Sequence, residues 1–118
     1  MPPRTILAAT DDSSESVVLG FLVASCVSEE WELESVVVAQ EVRRRGVGSM
    51  LVRELVKRAV AASASALILE VRESNAPARQ LYEKLGFIQE TCREDYYQGP
   101  LEPAILYRFS LQSCDKIP

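Results

Sequence analysis

Three segments carry side chains whose types and spacing could do chemistry. Arg43-Arg44-Arg45-Gly46-Val47-Gly48-Ser49 sets three guanidinium groups beside two glycines, between a run of valines and an amphipathic stretch. Glycines there let the backbone approach a ligand closely, N–H groups at a helix start attract an anion, and arginine forks match phosphate oxygens. The segment reads as a phosphate cradle, or alternatively as a solvated basic turn with a glycine-assisted helix entry. It holds neither G-x-G-x-x-G nor G-K-[ST], so a pyrophosphate-bearing ligand of another kind is implied. Glu70 interrupts an apolar run, and in a strand its neighbours Leu69 and Val71 point to the opposite face. A carboxylate partly desolvated at a sheet centre has its pKa raised, toward about 6–7 in working general bases. The alternative is a strand-end glutamate paired with Arg72 or another arginine. Tyr82 follows Asn75 by seven residues with Arg79 between, so the three share one helical face. A phenol of pKa ~10 can protonate a departing thiolate of ~8.5. A helix tyrosine packed at the core edge is the plainer reading.

The chain has no histidine, so proton transfer would fall to Glu, Asp, Tyr, Lys, Cys or a water. That absence excludes Ser-His-Asp and Cys-His catalysis, histidine-ligated zinc and any imidazole base. Cys26, Cys92 and Cys114 are widely spaced with no C-x-x-C, so no metal knuckle or disulfide framework is expected. The length of 118 residues suits a single domain over 1–118, and 47% hydrophobic content is that of an ordinary globular protein. A formal charge of -4 argues against a general nucleic-acid partner. Apolar runs too short for a membrane span and an opening Met1-Pro2-Pro3-Arg4 unlike a secretory signal point to a cytoplasmic protein with no membrane partner.

The elements that must position these residues follow from the hydrophobic period. Thr5–Thr10, Val17–Val27 and Trp31–Val38 read as strands separated by the polar turns Asp11–Ser16 and Ser28–Glu30, with Gly20 a bulge or close approach. Over Val47–Ala62, the apolar pairs Leu51/Val52, Leu55/Val56 and Ala59/Val60 alternate with charged pairs, giving an amphipathic helix. Ala66–Arg72 is a strand, which makes strand–helix–strand a parallel crossover. A second helix begins at the cap Asn75, takes Pro77 in its first turn and closes at Gly86, with Ala78, Leu81 and Leu85 as its core stripe. Phe87–Arg93 and Ala104–Leu111 are strands around a loop from Glu94 to Pro103. The order β-β-β-α-β-α-β-β predicts an α/β domain with a mixed central sheet and helices on both faces.

Two motifs give the chain a family resemblance. Arg43, Gly46 and Gly48 meet the signature [QR]-x-x-G-x-[GA] of the GNAT N-acetyltransferases. The run Leu69-Glu70-Val71-Arg72-Glu73-Ser74-Asn75, followed by Ala78 to Phe87 (ARQLYEKLGF), resembles the branch that acetylates the N-terminal amine of ribosomal proteins. The resemblance spans Thr5 to Leu111 and implies a GNAT-like fold using acetyl-CoA, with no metal. It implies that Arg43, Arg44, Arg45, Gly46, Val47, Gly48 and Ser49 wrap the pyrophosphate. It also implies that the pantetheine arm lies along Val36, Val37 and Val38, in a gap where that strand splays from its neighbour. Asn75 and Arg79 become cofactor contacts, Glu70 the general base and Tyr82 the general acid. Tyr96 and Tyr97 match a Tyr-Tyr pair near the acceptor entrance. The family ordinarily has a further strand and two helices ahead of the Thr5 strand, which form a wall of the acceptor groove. This sequence lacks them, which fits either a short or truncated form or a wall supplied by a partner subunit; a homodimer is expected, since an uncovered apolar face invites association. The implied reaction is acetyl transfer to a protein N-terminal amine. The alternatives are a small-molecule amine acetyltransferase or a non-catalytic CoA-binding or dimerisation module.

Overall fold

Alternating burial along the first three apolar runs produces an antiparallel meander of β1 (Arg4–Asp11), β2 (Ser14–Ser25) and β3 (Glu30–Val38). The computed structural model describes residues 4–26, 29–97 and 102–111; at 14–16 and 93–97 only the backbone is described. The first turn is tighter than the polar run suggested. Asp11 Oδ1 accepts from the Ser13 backbone N–H at 2.8 Å and from Ser13 Oγ at 2.6 Å, so Asp11 already pairs with Ser14. This local bond is how aspartate shortens a turn, and it starts β2 ahead of Val17.

A 3₁₀ turn at Gln40–Val42 leads from β3 into α1 (Val47–Ala61), which returns the chain to β4 (Ala66–Arg72), parallel to β3. α2 (Ala76–Leu85) follows. Asn75 Oδ1 accepts from the Ala78 N–H at 3.2 Å, Pro77 sits in the first turn, and Gly86 ends the helix at φ 106°. β5 (Ile88–Tyr97) and β6 (Glu102–Ser110) complete a six-stranded mixed sheet in the order β1-β2-β3-β4-β6-β5. The loop expected from Glu94 to Pro103 is therefore shorter. β5 runs on through Glu94 and Asp95 to Tyr97, which pairs with Glu102 across a register shift opposite Pro103.

Helices on both faces were expected; both described helices instead lie on one. Leu7, Leu22, Leu33, Leu69 and Tyr107 of the strands merge with Leu51 and Leu55 of α1 and Tyr82 of α2 in a single core. The reason is topological. β3–α1–β4 and β4–α2–β5 are both parallel crossovers that step in the same direction across the sheet, and right-handed crossovers in one direction share a face. The other face carries exposed Ile6 (68%), Phe21 (38%) and Val37 (44%). It also carries ion pairs: Arg4–Glu34 at 3.0 Å, and Arg108 with Glu30 at 2.8 Å and Glu90 at 2.5 Å.

Candidate active site

The parallel pair β3–β4 is joined by only three rungs, Glu30↔Ala66, Trp31↔Leu67 and Glu32↔Ile68. Beyond them β3 stays paired with β2 through Val36, Val37 and Val38, while β4 stays paired with β6 through Arg72. The two strands therefore part, leaving an opening flanked by Val36–Val38 on one side and Leu69–Arg72 on the other. Gly20 helps set that course. A Cβ there would lie 2.7 Å from the Val37 carbonyl oxygen and 3.2 Å from Val47 Cγ1, so only glycine lets β2 follow β3 here. A register shift beside Gly20 supplies the bulge as well as the close approach.

The arginine–glycine loop lies at the mouth of this opening. Arg44 (φ 67°) and Gly46 (φ 83°) both adopt left-handed backbone. For arginine that conformation costs about 1–2 kcal/mol, and such strain clusters at ligand clamps. The first bond of α1 runs from the Met50 N–H to the Gly46 carbonyl at 2.9 Å. The N–H groups of Val47, Gly48 and Ser49 precede it and point out of the helix end, where an anion is favoured. A Cβ on Gly48 would reach Leu81 Cδ2 at 3.5 Å and Val38 Cγ2 at 3.7 Å, so α1 and α2 approach closely beside the strand. Arg44 and Arg45 are exposed. Arg43 turns back instead, its Nε donating to the Val38 carbonyl at 3.2 Å and bracing the end of β3.

Glu70 projects to the sheet face opposite Leu69 and Val71, both buried, and its own Oε2 is sealed from solvent. Arg72 Nη1 donates to Glu102 Oε2 at 3.0 Å, and Glu102 Oε1 accepts the Ser74 N–H at 3.1 Å. Those bonds, the Ser74 backbone contact first, hold the Glu102 carboxyl below the usual carboxylate range. Tyr82 lies on the core face and is the buried residue of α2, whereas Leu81 and Leu85, expected in the core stripe, are only half-buried. Its ring meets Phe87 edge-on at 5.6 Å and Tyr107 at 6.4 Å, and burial pushes its phenol up. Asn75 and Arg79 do not line one open face with it. Asn75 caps its own helix, and Arg79 donates from Nε to Tyr107 Oη at 3.1 Å and from Nη1 to the Glu73 carbonyl at 3.0 Å.

Tyr96 and Tyr97 end β5 at the same end of the sheet as Arg72, with side chains outside the described residues. Cys26 and Cys92 are half-buried thiols, and Cys26 Sγ lies 3.3 Å from Thr5 Oγ1; Cys114 falls outside the described residues. Sequence reasoning missed Tyr107 and Glu102, whose partners lie 24 to 30 residues away. A tyrosine among the apolar residues of β6 was the only available signal.

A mixed sheet whose parallel strands part beside a helix start, with a carboxylate and a phenol on its two faces, is the architecture of an acyl-CoA N-acyltransferase. Residues 1–87 match the acetyltransferase (GNAT) family, and the chain belongs to it. The [ribosomal protein bS18]-alanine N-acetyltransferase of Salmonella typhimurium strain LT2 is 36% identical over 72% of this chain and 57% of that protein. This chain thus spans little more than half the length of that relative. Among solved structures, the ribosomal-protein-S18-alanine N-acetyltransferase from Escherichia coli superposes with a TM-score of 0.83 at 30% identity, over 92% of this chain and 69% of that one. Nourseothricin acetyltransferase superposes with a TM-score of 0.82 at 29% identity, over 93% of this chain and 66% of the other.

Proposed function

We propose that this chain, acting as one domain, transfers the acetyl group of acetyl-CoA to the N-terminal α-amine of a protein of ribosomal-protein type. The observation that carries this reading is the parting of β3 from β4 with Glu70 on one face and Tyr82 on the other. The residues present fit acetyl-CoA. The parted edge of β3 at Val36–Val38 offers backbone groups to an extended amide arm. The N–H groups of Val47, Gly48 and Ser49 with Arg44 and Arg45 offer donors to a pyrophosphate. Arg43 and Asn75 serve the cofactor indirectly, by bracing β3 and starting α2. Arg79 keeps guanidinium hydrogens beyond its two bonds for a further contact.

The thioester arrives already activated, so the chain must supply a neutral amine, a held carbonyl and a protonated leaving thiol. Glu70 takes the ammonium proton, directly or through water, on the sheet face away from the helices. Backbone N–H groups near Val38 polarise the carbonyl. Tyr82, kept protonated by its burial, gives its proton to the departing thiolate. A protein α-amine titrates near ~8 against ~10.4 for lysine, so a lone carboxylate base suits the former better. Tyr96 and Tyr97, at the strand end nearest Arg72, are proposed to meet the acceptor.

The homology to S18-alanine acetyltransferases supports a protein N-terminus as acceptor and a cytoplasmic site of action. The likeness to nourseothricin acetyltransferase favours the second reading, a small-molecule amine acceptor. The exposed apolar side chains Ile6, Phe21 and Val37 support a homodimer, which light scattering at micromolar concentration tests; a monodisperse monomer with a cooperative melt overturns it. The function is tested by thiol release from acetyl-CoA with a panel of N-terminal peptides and small amines. Turnover on peptides alone supports the first reading, and turnover on amines alone supports the second. Cofactor binding without turnover on either leaves a CoA-binding module.

A further inference from the structure

We propose that Tyr107 is a positioning residue: its hydroxyl, clamped between Arg79 and Glu83, fixes α2 on the sheet and so holds the Tyr82 ring in place against β6. The inference rests on the acetyl-transfer reading for its kinetic consequence, but its geometry stands apart from that reading.

Tyr107 is fully buried, at 0% exposure. A phenylalanine would fill the same space without burying a hydroxyl, which is unfavourable unless the hydroxyl is bonded. The bonds are present and directional. Arginine only donates and a carboxylate only accepts, so the order is fixed as Arg79 to Tyr107 to Glu83. Arg79 Nε donates to Tyr107 Oη at 3.1 Å, and Tyr107 Oη donates to Glu83 Oε2 at 2.6 Å. Both bonds involve a charged partner and are correspondingly strong. Arg79 Nη1 extends the chain to the Glu73 carbonyl at 3.0 Å.

The two helical partners straddle Tyr82. Glu83 follows it directly, and Arg79 lies one helical turn before it. One hydroxyl on β6 thus grips α2 on both sides of Tyr82 and, through Glu73, ties the helix to the turn that ends β4. The rings of Tyr82 and Tyr107 also touch, with centroids 6.4 Å apart at 47°. Tyr107 pairs in the sheet with Leu69, the neighbour of Glu70. The grip is therefore applied one residue along the sheet from the proposed base.

The test compares the wild type with Tyr107→Phe, which keeps the ring, and Glu83→Gln, which weakens the clamp at an exposed position. With acetyl-CoA, kcat should fall about tenfold in Tyr107→Phe while KM for acetyl-CoA moves less than twofold, as expected for a displaced reacting group. The loss should shrink with an acetyl thioester whose leaving thiol is more acidic, because such a thiol needs less protonation. A purely structural role would weaken both donors equally, and that result overturns the proposal, as does an unchanged kcat. If the wild type acetylates nothing, the functional reading fails by itself. The positioning claim is then decided by NMR on protein labelled with ¹³C at tyrosine Cζ. Tyr107→Phe and Glu83→Gln should both move the Tyr82 resonance; a Tyr82 signal unchanged in both variants overturns it.

Discussion

Glu70 and Tyr82 stand on opposite faces of one sheet, linked through a single strand rung: Leu69, next to Glu70, pairs with Tyr107, against whose ring Tyr82 packs. The Glu70 carboxyl and the Tyr82 phenol thus lie on the two sides of the sheet, Glu70 on β4 where β3 leaves it and Tyr82 against β6. Amine and thiolate would be served from different sides, so neither group can neutralise the other directly.

Glu70→Gln keeps the shape of the side chain and removes its capacity to accept a proton. Turnover should fall by about 10²-fold, the lower range for a general base, while acetyl-CoA affinity by calorimetry stays within about twofold. An unchanged rate removes Glu70 from the mechanism.

Tyr82→Phe should likewise lower kcat about 10²-fold. Burial raises the phenol's pKa, so the wild-type rate should hold through the pH at which an ordinary phenol ionises, ~10, and fall above it. The alkaline decline should be missing from Tyr82→Phe. The same shift has a stability consequence with a definite sign. Above ~10 the unfolded phenol loses its proton first, so stability conferred by the buried neutral ring is lost as pH rises. Urea melts across that range check it.

Gly20→Ala drives a methyl group to within 2.7 Å of the Val37 carbonyl oxygen. The backbone cannot yield as a side-chain end could. Stability should fall by about 1–3 kcal/mol in urea, and acetyl-CoA should bind more weakly because β3 must shift. Wild-type stability in Gly20→Ala would show that β2 and β3 are not locked there.

Glu102→Gln probes the turn before α2. The carboxyl of Glu102 is held below its usual range, chiefly by the Ser74 N–H and then by Arg72. A depressed carboxylate stabilises above the ordinary range and loses that effect as pH falls through its lowered value. The melting-temperature gap between wild type and Glu102→Gln should therefore be constant near neutrality and close below about pH 4. A gap independent of pH would mean that charge plays no part.

The sequence disclosed what local chemistry dictates. Asn75 and Gly86 bracket α2, Gly20 marks a close approach, and alternation sends Glu70 away from Leu69 and Val71. It could not disclose which way the second crossover steps, because strand order is a non-local property; hence the expectation of helices on both faces. The partners of Arg43 and Arg79 were hidden for the same reason. Each guanidinium turns inward to a partner fixed only once β3 and β6 are in place, the Val38 carbonyl and the Tyr107 hydroxyl. The tyrosine pair at 96–97 looked like loop because Gly99, Pro100 and Pro103 follow, yet β5 runs through both and Tyr97 pairs with Glu102.

The pairing of Arg108 with Glu30 and Glu90 has one more consequence. Arg108 sits on β6 and Glu30 at the first rung of β3, with β4 between them, so their bond at 2.8 Å spans the parting strands at their joined end. It works as the rivet of a pair of shears. The blades at Val38 and Arg72 are each backed by an outer strand, β2 and β6, while the Arg108–Glu30 pair fastens them at the far end. Loosening that rivet would alter the reach of the jaws without touching a residue inside them.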